Sequence, residues 1–315
     1  MTAPIPLPDG YVWRAITHDD LPAAQALLDA CEAAATGEAR VHQLDVAAEA
    51  RLPGRDLARD FPLIATDEGA VAALGWLLGF DSGNSVCEPN VHPDHAGRGL
   101  EAPLLAALED RAVDHAKARG VASRAKLSVW CEDIEHDRRA MLAGLGYLRA
   151  RDFFLMRIDL ARGFEAAEPP DGFEVRAFRP GMDERALYDA TQEAFAEHFN
   201  FEPETFDDWV AEWTARDIVP ELWFVAWDGG EVAGEVAAVR RGRDVYIESV
   251  SVRKGWRGRG LALALLLLEF AALHERGLDD VFLGVDAENA TGAVQLYERA
   301  GMNVWRHFEL YERPV

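Results

Sequence analysis

The sequence predicts a mixed α/β protein that contains two copies of one domain. An internal repeat is the first sign, because the run PDGY at residues 8–11 recurs as PDGF at residues 170–173. Runs rich in β-branched residues alternate with apolar stripes of helical spacing in both halves. In addition, Tyr246–Ala272 reads as a strand, a basic glycine loop and a long apolar helix, an order typical of α/β folds that hold phosphate groups.

Length and charge narrow the possible classes of protein. With 315 residues, of which 49% are hydrophobic, the chain is expected to form about two domains, each with its own core. A formal net charge of −23 argues against binding to nucleic acid or to an anionic membrane surface. The charge is compatible with a cationic substrate such as an amine, and equally with an acidic surface that only aids solubility.

The cysteines and the apolar runs indicate a cytoplasmic protein without a metal. Cys31, Cys87 and Cys131 have no metal-ligand spacing and are expected to be reduced thiols. Residues 1–10 have neither the charged nor the apolar part of a signal peptide. The longest apolar run begins at Leu261, is interrupted by Glu269 and is too short to span a bilayer, so a buried helix is expected.

The offset of the repeat sets the expected domain boundaries. Matching positions lie 161 or 162 residues apart as far as Gly99 and Gly260, and 155 apart at Gly146 and Gly301. The copies are therefore expected at residues 1–161 and 173–315, and residues 162–172, rich in Pro, Gly and charge, are expected to be a linker. Such a chain is expected to be a monomer whose two copies form a pseudo-dimer.

Each copy is predicted to follow one order of elements. A strand and a striped helix come first, then a less regular helical stretch and a hairpin. A strand, a long helix, a strand, a short helix and a final strand complete the copy. In the first copy these are Tyr11–Ile16, a helix after Asp20, Val41–Asp60, Leu63–Thr66 with Val71–Leu78, Asn84–Val91, Leu100–Arg119, Lys126–Trp130, Arg138–Leu145 and Phe153–Ile158.

The glycine loop at residues 255–260 has the composition of a phosphate-binding loop. Its glycines let the backbone approach a ligand, and the following helix presents unpaired N–H groups. A P-loop would need Lys and Ser or Thr after Gly260, and a dinucleotide fingerprint would need glycine at Leu263. The pattern Arg-x-x-Gly-x-Ala is met by Arg257, Gly260 and Ala262. The alternative is a basic turn before a core helix.

A second motif, with the loop, resembles the GNAT superfamily of acyl-CoA-dependent N-acetyltransferases. Asn289 precedes a helix that carries Tyr297 and ends near Gly301, although the spacing from Asn289 to Tyr297 is one residue longer than the commonest form. The order of predicted elements is that of the GNAT fold. The resemblance covers both copies, and its specific motifs lie in the second.

The resemblance implies that acetyl-CoA is the co-substrate and is held by the second copy. The implied contacts are the pyrophosphate with the loop and helix start, the pantetheine arm with the main chain of one strand, and a contact from the asparagine. The residues concerned are Val250, Val252, Arg257, Gly258, Arg259, Gly260, Leu261, Ala262 and Asn289.

Acyl transfer to an amine needs an acid and a base, and the resemblance suggests candidates. Tyr297 would protonate the leaving thiolate, unless its ring only packs against the core. Glu248 shares a predicted strand face with two valines, where a desolvated carboxylate would suit a base, or it is a solvent-facing residue at a bulge. Glu235 is a second candidate for the base or for amine binding. His198 lies where the acceptor pocket forms in the family, or is a surface histidine.

The first copy lacks the residues that the second copy is expected to use for phosphate binding and catalysis. Against Arg257, Ala262, Tyr297 and Glu248 of the second copy stand Ala96, Glu101, Leu142 and Cys87. Glu101 would put a negative charge where a diphosphate should bind. We therefore expect a degenerate first copy and a second copy that catalyses N-acetylation of a small-molecule amine. The alternatives are a non-catalytic acyl-CoA-binding protein and an enzyme that acetylates protein or peptide amines.

Overall fold

The computed structural model describes the chain except residues 1–4, 38–45, 52–54, 79–83, 242–243 and the single positions 124, 162, 165, 200, 202, 217, 290 and 315. It divides into two compact units. The first unit comprises Met1–Arg151 with Phe308–Val315, and the second comprises Asp152–His307. Within the described ranges, no helix is both long enough and apolar enough to cross a membrane.

The first unit is a sheet with helices. Its elements are β1 (Tyr11–Arg14), α1 (Leu21–Thr36), α2 (Val46–Glu49), α3 (Leu57–Asp60), β2 (Leu63–Thr66), β3 (Val71–Leu78), β4 (Asn84–Val91), α4 (Glu101–Ala118), β5 (Lys126–Glu132), α5 (His136–Gly144) and the start of β6 (Leu148–Asp159). The strands β1 to β5 lie in chain order, and β4 and β5 are parallel. The predicted helical stretch Val41–Asp60 is two short helices, and residues 41–45 and 52–54 of it lie outside the described residues.

The second unit has the same plan. Its elements are the end of β6, then β7 (Glu174–Ala177), α6 (Glu184–Phe195), α7 (Phe206–Ala215), β8 (Ile218–Asp228), β9 (Glu231–Arg241), β10 (Asp244–Val252), α8 (Leu261–Glu275), β11 (Asp280–Asp286), α9 (Ala293–Arg299) and the start of β12 (Asn303–Pro314). Its strand order is β6-β11-β10-β9-β8-β7, in which β10 and β11 are parallel. The prediction of a mixed α/β fold is confirmed.

The units divide the chain at different positions from the sequence repeat. Residues 153–159 of β6 pair with β11 in the second unit, and Phe308–Pro314 of β12 pair with β5 in the first. Periodicity in the sequence locates copies of an element, but it does not reveal which unit a terminal strand joins. The end of each repeat copy therefore belongs to the unit formed mainly by the other copy.

The core of the second unit explains the apolar composition of α8. This helix is hydrophobic on nearly all sides, and Leu261, Leu265 and Phe270 are buried in one cluster with residues of β9 and β11. Burial fixes the helix against the sheet. Its first turn is thereby held near the end of β10, to which the glycine loop connects it.

Candidate active site

A cleft opens in the second unit where two parallel strands separate. The register between β10 and β11 contains the pair Tyr246↔Phe282, whereas the pairing of β10 with β9 continues to Val252. A β-bulge at Glu248, between Ile247 and Ser249, bends β10 at this point. The separation leaves a cleft of about 660 Å³, and all of its lining residues belong to the second unit.

The glycine loop and the start of α8 form one end of the cleft. Gly258 and Gly260 have φ of +76° and +81°, in the left-handed region that favours glycine, and Gly260 is the residue before the helix. Both glycines line the cleft together with Leu261 and Ala262. The unpaired N–H groups and positive end of a 15-residue helix therefore lie at the cleft wall, as binding of a phosphate requires.

The two arginines of the loop have different surroundings. Arg257 lines the cleft, but its guanidinium donates to the carbonyl oxygens of Val252 (2.9 Å) and Ala194 (3.2 Å) and therefore braces the loop. Arg259 is not part of the cleft lining. Its guanidinium lies 4.3 Å from the centre of the Phe173 ring and donates to the carbonyl oxygen of Asp171 (3.3 Å). The geometry thus leaves the helix N-terminus and backbone as the main features that favour an anion.

Tyr297 lies on α9 and lines the cleft. It is only 8% exposed, and burial, followed by the negative charge of Glu235, raises the pKa of its phenol to about 12. The hydroxyl is therefore protonated at neutral pH. A buried phenol that faces a cleft and holds its proton has the properties of a proton donor.

Glu248 is the extra residue of the bulge, and it lines the cleft on the same half-buried strand face as Val250 and Val252. Its carboxylate accepts a hydrogen bond from Arg216, directly after α7, whose guanidinium lies 4.9 Å from the centre of the Trp213 ring. Glu248 thus shares a strand face with the two valines, as expected, and it is also the bulge residue. The carboxylate is held as one half of an ion pair.

The pairing of Glu248 with Cys87 across the repeat is wrong. In the first unit β4 runs without a bulge, and Cys87 pairs with Leu77 as Ile247 pairs with Ala238. The register of the first unit therefore leaves Glu248 without a counterpart. A sequence offset of 161 residues could not reveal this, because a bulge changes the offset by one residue only within one strand.

Glu235 is fully buried and does not line the cleft. Its carboxyl accepts hydrogen bonds from Ser249 (2.6 Å) and from the indole N–H of Trp223 (3.0 Å). Burial raises its pKa, while these donors and Ser251 oppose that shift. Of the two candidate bases, only Glu248 is brought to the cleft, and Glu235 belongs to a polar network beneath the strand.

His198 and Asn289 both line the cleft. His198 is half-buried, its ring packs edge-on against Phe195 at 4.6 Å, and burial together with the Arg257 charge lowers its pKa. The side-chain oxygen of Asn289 accepts a hydrogen bond from the backbone N–H of Thr291 (2.7 Å). This hydrogen bond engages the Asn289 oxygen locally.

Several lining residues were not anticipated from the sequence. They come from β6, from the end of β11, from the segment before α9 and from the first residue of α9, and they include Phe153, Gly284, Asp286, Thr291 and Ala293. Phe153 reaches the cleft because β6 pairs with β11. No sequence signal could have located it, since its position depends on the exchange of terminal strands. Among the described residues, no group of three or more His, Cys, Asp or Glu could hold a metal ion.

Comparison with known proteins agrees with this geometry. The family model described as Acetyltransferase (GNAT) family matches residues 185–302, which include the cleft except for Phe153. A solved GCN5-related N-acetyltransferase from Sphaerobacter thermophilus is 33% identical, with a TM-score of 0.85, and the match covers 98% of this chain and 96% of that one. A tandem GNAT protein from the clavulanic acid biosynthesis pathway shares the fold at 17% identity and a TM-score of 0.72, over 96% and 98% of the two chains.

Curated relatives extend the likeness over most of the chain. The mycothiol acetyltransferase of Thermobispora bispora is 33% identical over 281 residues, which cover 80% of this chain and 88% of the relative. That of Geodermatophilus obscurus is 32% identical over 302 residues, 89% and 91% of the two chains. The chain belongs to the GNAT family of acetyltransferases, in its tandem form. It is similar to mycothiol acetyltransferases, and it is an acyltransferase with acetyl-CoA as co-substrate.

Proposed function

We propose that this enzyme transfers the acetyl group of acetyl-CoA to the primary amine of a small molecule in the cleft of the second unit. One observation carries the proposal: a single cleft joins a helix N-terminus behind a glycine loop to a buried, protonated tyrosine and a carboxylate. These are the parts that direct transfer from a thioester to an amine requires.

The donor end of the cleft suits a CoA thioester. The N–H groups from Arg257 to Ala262 would hold the pyrophosphate, because the helix dipole and unpaired amides favour an anion. The main chain of Val250–Val252 would pair with the amides of the pantetheine arm as another strand would. The thioester would then lie between the separated strands.

The chemistry follows from the two side chains at the cleft. The amine nitrogen attacks the acetyl carbonyl, the N–C bond forms, and collapse of the tetrahedral intermediate breaks the C–S bond. Tyr297 donates its proton to the leaving thiolate, and Glu248 takes a proton from the amine, directly or through water. One proton is lost by the amine and one is gained by the thiolate.

The acceptor is proposed to be a small amine. A net charge of −23 favours approach of an ammonium group. The name of the relatives, mycothiol acetyltransferase, makes the desacetyl precursor of mycothiol the first amine to test. Peptide amines belong in the same test, because the chain's acidity would suit basic peptides equally.

The test is a screen of amines with acetyl-CoA, with release of the CoA thiol as the readout and mass spectrometry of the acceptor as confirmation. We expect at least one small amine to gain one acetyl group on nitrogen at a rate proportional to enzyme concentration. Slow thiol release that no amine stimulates would contradict transfer and indicate a non-catalytic acyl-CoA-binding protein. Acetylation confined to peptides would move the acceptor to protein amines.

A further inference from the structure

Each unit contains the same separation of two parallel strands. In the second unit the parallel strands β10 and β11 are registered at Tyr246↔Phe282. In the first unit the last registered pair of β4 and β5 is Val86↔Ser128. Positions beyond the separation can be matched through the neighbouring strands. The pair Trp76↔Glu88 between β3 and β4 corresponds to the pair Ala237↔Ser249 between β9 and β10, because both members of the second pair lie 161 residues after those of the first.

The helices that border the cleft can be matched in the same way. Gly99 and Gly260 both have left-handed φ, at +77° and +81°, before the long helix of each unit. The two helices that follow the separated strands end alike, because the N–H of Tyr147 donates to the carbonyl of Leu142 as that of Met302 donates to Tyr297. These matches place Glu101 opposite Ala262, and Arg138 opposite Ala293.

Small residues line the open cleft, and large ones replace them in the first unit. The second unit has Ser249, Ala262, Gly284 and Ala293 along its cleft. Their counterparts in the first unit are Glu88, Glu101, Trp130 and Arg138. Four elements thus contribute a bulky side chain each at the positions that leave space in the second unit.

The charged members of this set form one ion cluster. Arg138 lies 3.4 Å from Glu88, 3.3 Å from Glu101 and 3.7 Å from Glu135 in N–O distance, and its side chain is only 11% exposed. The side chain of Glu88 also accepts a hydrogen bond from the backbone N–H of Trp130 on β5 (3.2 Å). It therefore bridges the separated strands and occupies the space in which the thioester is proposed to lie in the second unit.

We propose that this cluster closes the first unit, so that the protein binds one acetyl-CoA per chain, in the second unit. A CoA molecule in the first unit would have to displace Glu101 from the first turn of α4 and Arg138 from its place beside Glu88 and Glu101. Movement of Arg138 would leave the carboxylates of Glu88 and Glu101 without their cation, and the loss of a buried partner charge opposes opening. The carboxylate of Glu101 also repels a pyrophosphate at the helix start.

Calorimetric titration of the full chain with acetyl-CoA tests the proposal. We expect one site in the unaltered protein, no site in Ala262→Glu, and one site in the control Gly277→Ala, which lies at the other end of α8 and outside the cleft lining. Ala262→Glu gives the second unit the residue that the first unit has. Two sites in the unaltered protein, or one site that persists in Ala262→Glu, would overturn the proposal.

The unaltered protein keeps the test decisive if Ala262→Glu does not fold, because two sites would still contradict a closed first unit. The proposal on function fails separately. One site without acetylation of any amine would leave the closed first unit intact and remove the proposed catalysis. Two sites together with acetylation of an amine would support the proposed catalysis and contradict the closed first unit.

Discussion

At the scale of single residues, the cleft brings together an acid that holds its proton and a carboxylate that is held in place. Burial raises the pKa of the Tyr297 phenol to about 12, so the side chain keeps its proton at every pH at which the enzyme is expected to work. Glu248 is fixed by Arg216 at the bulge. The roles of both residues remain proposals that substitution can decide.

Amide substitutions separate the two candidate bases. We expect Glu248→Gln to lower kcat/KM for the amine by roughly 100-fold, the order of general-base contributions. Glu235→Gln should change kcat/KM by less than about threefold, because Glu235 does not line the cleft. Steady-state kinetics of both variants with one amine checks this. A larger loss of turnover in Glu235→Gln would make Glu235 the base.

The buried carboxyl group of Glu269, outside the cleft, should reduce the stability of the folded state. It is fully buried in α8, and neither carboxyl oxygen has a hydrogen-bond partner among the described residues. Burial raises its pKa well above 4.5, so the folded state binds a proton that the unfolded state releases, and the stability falls as pH rises above about 4.5. We expect Glu269→Leu to raise the free energy of unfolding by about 1–4 kcal/mol at pH 7.

Urea denaturation at pH 4 and pH 7 measures this effect. The gain in Glu269→Leu should be clearly smaller at pH 4, where the carboxyl group is protonated in both states. Glu275→Leu, an exposed position on the same helix, is the control and should show no such dependence on pH. An equal gain at both pH values would show that the charge of Glu269 is not involved.

At the scale of elements, the sequence predicted the strand, the glycine loop and the helix, but not the shape of the cleft. Local composition marks Gly260 and the apolar face of α8, and these predictions agree with the structure. The bulge at Glu248 and the separation of β10 from β11 depend on pairing between distant strands. A single strand carries no record of its register, so the sequence alone could not supply them.

The sequence also could not predict the hydrogen-bond partners of the arginines in the glycine loop. Their charge predicted contacts with a pyrophosphate. In the structure the guanidinium of Arg257 donates to the carbonyl oxygens of Val252 and Ala194, which come from β10 and α6, and its contact with a pyrophosphate stays a prediction. Residue type gave the correct location of the loop. The partners of long side chains depend on elements that only the folded chain brings near.

Glycine substitutions test the loop as a binding element. At Gly260 φ is +81°, and an added Cβ would meet no atom of the described, non-adjacent residues within 4 Å. Gly260→Ala should therefore cost about 1 kcal/mol of stability through backbone strain alone. Gly277→Ala, with φ of +77° and equal space at the other end of α8, should cost the same. Only Gly260→Ala should weaken acetyl-CoA binding, by roughly tenfold. Equal affinities in the two variants would contradict a role for the loop.

At the scale of the whole molecule, the exchange of terminal strands decides where a stable fragment ends. Residues 153–159 make seven register pairs with β11, and Met156, Ile158 and Leu160 belong to the core of the second unit. A fragment of residues 152–307 should therefore unfold cooperatively, whereas a fragment of residues 173–307 should not. Thermal unfolding followed by circular dichroism compares them. A cooperative transition in the shorter fragment would contradict this assignment of β6.

The two units also differ in what fills the space between their separated strands. In the second unit small side chains leave an open cleft beside Tyr297, and in the first an ion cluster around Arg138 occupies the matching positions. Acetyl transfer is therefore proposed for the second unit alone. The first unit is expected to contribute no group to the reaction.

The most direct measurement is kcat for Tyr297→Phe, with the Kd for acetyl-CoA measured in parallel. The control is Tyr311→Phe, which removes another buried phenol that donates to Glu309 (3.0 Å) in the first unit. We predict that Tyr297→Phe lowers kcat by roughly 100-fold with Kd within about threefold, and that Tyr311→Phe leaves kcat unchanged. An unchanged kcat in Tyr297→Phe would contradict transfer by the second unit's cleft as described.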